Sequence, residues 1–95
     1  MTDPNLLVLA SLAEGDKHGY AIMEDVERFA GVRLGPGTLY GAITRLEERK
    51  LIRAVSPEER RQPYAVTALG RAHLSAQLAQ LERVVKTGLR RLRPA

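Results

Sequence analysis

The segment at residues 34–47, with the sequence LGPGTLYGAITRLE, constrains the fold more than any other part of the chain. Gly35-Pro36-Gly37 interrupts regular structure, and proline suits the first position of a helix. Beyond this break, apolar side chains recur every three or four residues, at Leu39, Ala42, Ile43 and Leu46. The segment therefore predicts a loop and then a helix from about Pro36 to Lys50, with small and hydroxyl side chains exposed in its first turn.

A basic hairpin is predicted directly after this helix. The strand-like segments Leu51–Val55 and Tyr64–Thr67 flank a polar loop that contains Arg60 and Arg61. A helix with an open first turn beside a basic hairpin is the arrangement by which a winged helix-turn-helix binds duplex DNA.

The rest of the chain predicts three more helices and a short strand. Their predicted bounds are Pro4 to Leu12, His18 to Ala30, Ala68 to about Leu92, and, for the strand, Val32 to Leu34. The fold class is therefore mainly α with a small β-wing, in the order helix, helix, strand, helix, strand, strand, helix. We expect a winged helix-turn-helix DNA-binding domain over residues 1–67 and a long C-terminal dimerisation helix over residues 68–95, forming one structural unit.

The first helix is apolar on nearly all sides, through Leu6, Leu7, Val8, Leu9 and Leu12. A surface helix carries one apolar stripe, so this helix either lies deep in the core or meets a second subunit. We favour the second interpretation because so small a domain buries a modest share of its surface by itself.

The last helix has an apolar seam along one side, formed by Leu74, Leu78, Leu81, Val85 and Leu92. At 1.5 Å per residue this helix spans about 37 Å, which is longer than a domain of this size can cover. A projecting apolar seam is typical of a helix-to-helix dimer. We therefore predict a homodimer built on this seam together with Leu6 and Leu9.

Composition narrows the function classes. The 95 residues include no cysteine, which excludes disulfides and thiolate metal sites, and the two histidines are isolated. No spacing indicates a catalytic triad or a phosphate-binding loop, so we expect no enzyme activity, no catalytic or metal site and no cofactor. Since no signal peptide and no membrane-length apolar run is present, we expect a cytoplasmic protein without a membrane partner.

Charge is distributed unevenly along the chain. Residues 1–30 carry six acids and two bases, for a net charge of −4, whereas residues 31–95 carry thirteen bases and five acids, for a net charge of +8. This asymmetry favours a polyanionic partner on one side of the molecule, although an ordinary arginine-rich surface would also produce it.

The chain resembles the PadR family of bacterial transcriptional regulators over about residues 5–75. The matching segments, in the expected order, are His18-Gly19-Tyr20-Ala21-Ile22, Gly37-Thr38-Leu39-Tyr40, Arg45-Leu46-Glu47, Leu51-Ile52 and Tyr64-Ala65-Val66-Thr67-Ala68-Leu69-Gly70-Arg71. The resemblance implies a winged helix that dimerises through its C-terminal helix with help from the first helix. It also implies binding to pseudo-palindromic operators in double-stranded DNA, usually as a repressor.

Some members of the family release DNA when a small aromatic or cationic molecule binds at the dimer interface, often against a tryptophan of the last helix. This chain contains no tryptophan, and its last helix contains no aromatic residue. We therefore expect an aliphatic lining from Leu6, Leu9, Leu74, Leu78 and Leu81, with weak or no binding of flat aromatic cations. Control by protein abundance alone is the alternative to a small-molecule effector.

Candidate DNA contacts lie at the start of the third helix. The Thr38 hydroxyl and the free N–H groups near it can bond a phosphate or a base edge, although Thr38 could instead cap the helix. Tyr40 can reach a phosphate or sugar, or pack against another tyrosine. Gly37 lets the backbone approach the groove closely.

Further candidates lie along the same helix and on the wing. Thr44 and Arg45 follow one to two turns later, where Arg45 can hold a phosphate or guanine unless it pairs with Glu48. Arg60 and Arg61 are expected to contact the DNA backbone or minor groove, unless they form a solvated turn partly neutralised by Glu58 and Glu59. The alternative function is a winged-helix protein-interaction module that binds no DNA.

Overall fold

The computed structural model describes residues 3–56 and 60–94. Its elements are α1 (Pro4–Leu12), β1 (Lys17–His18), α2 (Gly19–Ala30), α3 (Pro36–Glu48), β2 (Ile52–Ala54), β3 (Pro63–Val66) and α4 (Ala68–Leu92). The predicted fold class is confirmed: the described chain is mainly helical, with a small antiparallel sheet and a long last helix. Glu58 and Glu59, which would partly neutralise Arg60 and Arg61 in the alternative interpretation of the hairpin tip, lie outside the described residues.

The wing forms as the alternating sequence predicts. Strands β2 and β3 pair antiparallel, with Arg53 opposite Ala65 and Ala54 opposite Tyr64. Pro63 begins β3, where its missing N–H is tolerated, and its carbonyl accepts a hydrogen bond of 3.0 Å from the Val55 N–H.

The third strand lies elsewhere than predicted. Residues 32–34 form a loop, in which Leu34 is buried in the core. The strand is instead β1, which pairs with β3 through Lys17 opposite Tyr64 and gives the sheet order β1-β3-β2. The predicted strand at residues 32–34 was therefore wrong. The sequence contains no signal for β1, because β1 is only two residues long and forms only by pairing with a strand that is distant in sequence.

Helix α1 is the centre of the core, where Leu6 and Leu9, which were predicted to contact a second chain, are buried. It packs against α2, α3 and α4, and this enclosure explains why it is apolar on all sides. Leu6 is 7% exposed and Leu9 is 1% exposed, so neither offers a surface to a second chain. Leu74 is buried in the same cluster. Leu6, Leu9 and Leu74 were all predicted to line an effector site, and they can contact a ligand only if the core opens.

Helix α2 packs on the core along one side, where Ile22 and Val26 are buried. Phe29, in its last turn, is 51% exposed. His18 caps the first turn, since its Nδ1 accepts a hydrogen bond from the Ala21 N–H at 3.3 Å. Gly31 ends the helix at a φ of 66°, a left-handed conformation that favours glycine.

A polar network, which the sequence pattern did not reveal, joins α1 to α2. The fully buried Ser11 hydroxyl donates to Asp25 Oδ2 at 2.7 Å. Lys17 donates to the Ser11 carbonyl, and its Nζ lies 3.8 Å from Asp25 Oδ2. The network satisfies a buried hydroxyl and fixes the start of β1 against the core.

The junction of α3, the wing and α4 is held by Thr67. Its hydroxyl accepts a hydrogen bond of 3.0 Å from the Gly70 N–H and donates to the Lys50 carbonyl at 2.7 Å. A Cβ on Gly70 would collide with the Leu51 carbonyl, so α4 can approach the turn this closely only with glycine there. These contacts fix the position of the wing relative to α3.

The distal part of α4 projects from the domain. Beyond Leu74, the seam residues Leu78, Leu81, Val85 and Leu92 are 44–82% exposed. The chain accordingly measures 59 × 26 × 20 Å. Over the described residues, no helix combines the length and the apolarity needed to span a membrane.

Candidate nucleic-acid interface

The first turn of α3 is open to solvent. Gly35 precedes the helix and supplies no side-chain cap, and the first hydrogen bond joins the Leu39 N–H to the Gly35 carbonyl at 2.9 Å. The N–H groups of Gly37 and Thr38 have no acceptor within the helix. Both residues are exposed, and Thr38 lies inside the helix and does not cap it. This turn can therefore present N–H groups and a hydroxyl to an anion.

Tyr40 is half-exposed at the same end of α3. Its phenol group lies against Gly19, the first residue of α2. Tyr64 of β3 is close enough that Tyr40 affects its titration: burial raises the pKa of Tyr64, and Glu47 and Tyr40 raise it further. Tyr40 thus packs on one side while 49% of its surface remains available.

Thr44 and Arg45 are exposed further along α3. The Thr44 hydroxyl donates to the Tyr40 carbonyl at 2.9 Å, a bond within the helix. Arg45 donates from Nη2 to Asn5 Oδ1 at 3.2 Å and, within the described part of the chain, forms no ion pair with Glu48. Because a bond to a neutral exposed amide is easily exchanged, the guanidinium can still serve a phosphate.

The wing arginines lie beside Tyr40, in the second turn of α3. Arg60 and Arg61 are exposed, and both line a groove of about 430 Å³ with Tyr40. The remaining lining residues are His18, Gly19, Tyr20, Gln62 and Tyr64. The groove thus brings together two cations, three phenol groups and the first turn of α2, whereas Gly37, Thr38, Thr44 and Arg45 are not among its lining residues.

Two other arginines lie outside this groove. Arg33 donates to Glu27 at 2.9 Å, and that hydrogen bond, with the charge of Glu27, raises the pKa of Arg33. Arg53 lines a separate depression together with Glu47 and Lys50.

Some members of the interface could not be identified from local sequence. Asn5 reaches Arg45 from the far end of the chain, and Gln62 enters the groove through the course of the loop. His18 and Gly19 were recognised as part of a motif, but their position next to Tyr40 follows only from the packing of α2 on α3.

These elements define a winged-helix protein. The sequence model of the PadR-like family of transcriptional regulators matches residues 8–76. The chain therefore belongs to the PadR-like family of transcriptional regulators, a class of protein that is generally non-enzymatic.

Two curated relatives are similar to this chain in sequence. A 37.1 kDa protein of transposon TN4556 from Streptomyces fradiae is 43% identical over 82 residues, which are 86% of this chain and 24% of the relative. Protein X from Lysinibacillus sphaericus is 32% identical over 75 residues, covering 73% of this chain and 69% of the relative. The chain thus spans about a quarter of the first relative's length.

Solved structures share the fold along nearly the whole chain. A transcriptional regulator from Clostridium thermocellum superposes with a TM-score of 0.82 at 26% identity, covering 95% of this chain and 90% of that one. A PadR family transcription regulator from Clostridium difficile gives a TM-score of 0.83 at 24% identity, covering 97% and 100%. The long α4 is therefore included in the shared architecture.

Proposed function

We propose that this transcriptional regulator acts as a dimeric repressor that binds a pseudo-palindromic operator in double-stranded DNA. The observation that carries the proposal is the groove in which Arg60 and Arg61 lie beside Tyr40, which directly follows the open first turn of α3. A helix terminus that presents N–H groups, next to two exposed cations, suits a phosphate backbone and the edge of a major groove.

Helix α3 supplies the contacts that would distinguish sequences. Its exposed face carries Gly37, Thr38, Tyr40, Thr44 and Arg45. Thr38 and Tyr40 lie in the first turn and a half, where a recognition helix contacts base edges and phosphates. Arg45 is the one cation of this set and can bond guanine bidentately or hold a phosphate.

The wing supplies contacts that are independent of sequence. Arg60 and Arg61 have long cationic side chains on an exposed loop, and such side chains neutralise phosphates whatever the bases are. Arg60 and Arg61 are distant from α3 in sequence, but the β2–β3 hairpin holds them at the same groove as Tyr40.

Dimerisation is proposed through α4 alone. Leu78, Leu81, Val85 and Leu92 continue the side of the helix that buries Leu74, and they extend it into solvent. A second α4 would cover this stripe. A two-fold dimer would then present two α3 helices to two half-sites about one helical turn of DNA apart.

Regulation by a small molecule is not required by this arrangement. An effector must bind one arrangement of the two recognition helices better than the other, and the exposed part of the α4 seam is aliphatic. We propose that flat aromatic cations bind weakly or not at all, and that protein abundance sets operator occupancy.

A fluorescence-anisotropy titration tests the proposal directly. The labelled probe is the duplex upstream of the protein's own gene, with a scrambled duplex of equal length and composition as the control. We expect tighter binding to the upstream duplex, by a factor that rises with salt as non-specific binding weakens. Equal weak binding to both duplexes, or none, would favour a protein-interaction module instead.

A further inference from the structure

Glycine at position 19 is not explained by backbone conformation. Gly19 is the first residue of α2 and is buried, and among the described glycines a left-handed φ occurs only at Gly31. Alanine could adopt the same backbone at Gly19 and is a better helix former. Gly19 is therefore required for the space beside it.

That space is filled by Tyr40. A Cβ placed on Gly19 would collide with the Tyr40 Oη, and it would lie 2.9 Å from Tyr40 Cζ and 3.3 Å from Leu39 Cδ2. Carbon atoms in contact prefer separations of about 3.5–4.0 Å. The phenol end of Tyr40 thus occupies the volume that any other residue at position 19 would fill.

The contact matters because of where it holds the ring. The side chain of Tyr40 extends from α3 over the start of α2 and lines the groove that also contains Arg60 and Arg61. We propose that Gly19 is a positioning residue of the nucleic-acid interface. Because Gly19 has no side chain, it leaves the space in which the Tyr40 phenol lies at the groove between α3 and the wing. This inference rests on the proposed function, because the ring is useful there only if DNA enters the groove.

A comparison with Gly70 shows why substitution at Gly19 should move a side chain and leave the fold intact. A Cβ on Gly70 would meet the Leu51 carbonyl, which is backbone and cannot turn aside. At Gly19 the main obstacle is the far end of Tyr40, which can rotate into the solvent that already reaches 49% of it. The expected consequence is a displaced tyrosine in a folded chain.

The test is a double-mutant cycle on the full chain with Gly19→Ala, Tyr40→Ala and the combination. Each variant is titrated against the upstream duplex, and Gly15→Ala is the matched control because a Cβ there meets nothing within 4 Å. We expect Gly19→Ala to weaken binding about tenfold, the change produced by a loss of about 1.4 kcal/mol. In the Tyr40→Ala background, Gly19→Ala should change the affinity for the duplex less than about twofold, because the side chain that it displaces is already absent.

Thermal unfolding of the same variants provides a measurement that needs no DNA. Gly19→Ala should lower the Tm of the wild-type chain but not that of Tyr40→Ala, where the collision is absent and the higher helix propensity of alanine remains. Equal losses of DNA binding with and without Tyr40, or no loss of binding with Tyr40 present, would overturn the inference. If the wild-type chain binds no duplex, the proposed function is wrong. The Tm comparison then shows separately whether Gly19 positions the Tyr40 ring.

Discussion

Helix α1 and the distal half of α4 are both rich in leucine, yet they have opposite environments. Leu9 of α1 is 1% exposed because three other helices surround α1, whereas Leu81 of α4 is 44% exposed because α4 extends past the domain. Apolar composition alone does not distinguish a core helix from an association surface. The position of the helix relative to the rest of the chain makes this distinction. The two helices should therefore respond differently to the same kinds of substitution.

The largest effect is expected in α1. Leu9→Ala removes a fully enclosed side chain and should lower the free energy of unfolding by about 2–5 kcal/mol. Leu69→Ala is the matched control, since Leu69 is on α4 and 58% exposed, and it should change stability by less than about 0.5 kcal/mol. Urea unfolding followed by circular dichroism measures both, and similar losses for the two variants would break the distinction between the helices.

Next is the effect on association. Leu78→Asp combined with Leu81→Asp places two charges on the α4 seam and should convert the proposed dimer into a monomer, because unpaired carboxylates cannot be buried at low cost. Light scattering at micromolar concentration should then give the mass of one chain, against two for the wild type.

The control for that pair is Ala79→Asp with Gln80→Asp, which adds the same charge on exposed α4 positions outside the seam. This variant should remain dimeric. A wild-type chain that is a folded monomer, or a control that dissociates as completely as the seam variant, would contradict the assignment of the dimer to this stripe.

A smaller effect is expected from the polar network beneath α1. Ser11→Ala removes the hydroxyl that donates to Asp25 at 2.7 Å and should cost about 1–3 kcal/mol, since a partly buried carboxylate loses a donor. The loss should be independent of protein concentration, unlike that of the seam variant. A change below about 0.5 kcal/mol, the range of ordinary surface substitutions, would show that the network adds little to the core.

Local signals were sufficient for some elements and not for others. The Gly35-Pro36-Gly37 break predicted the start of α3 correctly, and the β2–β3 hairpin followed from alternation and turn residues. The strand β1 could not be predicted, since Lys17 pairs with Tyr64 only after the wing has folded back on the domain. For α1, periodicity revealed apolar sides but could not tell whether other helices of the same chain would cover them.

In the candidate interface, too, some features could be predicted from the sequence and others could not. Helix-start and loop signals predicted that Thr38, Tyr40, Arg60 and Arg61 are exposed, because exposure and charge are local properties. The sequence could not place Gly19 beneath the Tyr40 phenol or bring Asn5 to Arg45, because those contacts depend on how the helices cross.

The most direct test of the central claim is the salt dependence of DNA binding by Arg60→Ala with Arg61→Ala. If each arginine neutralises one phosphate, a dimer of the double variant lacks four phosphate contacts. It should bind all duplexes more weakly, and the slope of log affinity against log salt should fall in magnitude by about 4. Arg83→Ala with Arg90→Ala removes the same charge from exposed positions of distal α4 and should leave the slope unchanged. A wing variant with wild-type affinity and slope, or a control that loses as much, would contradict the placement of DNA in the groove between α3 and the wing.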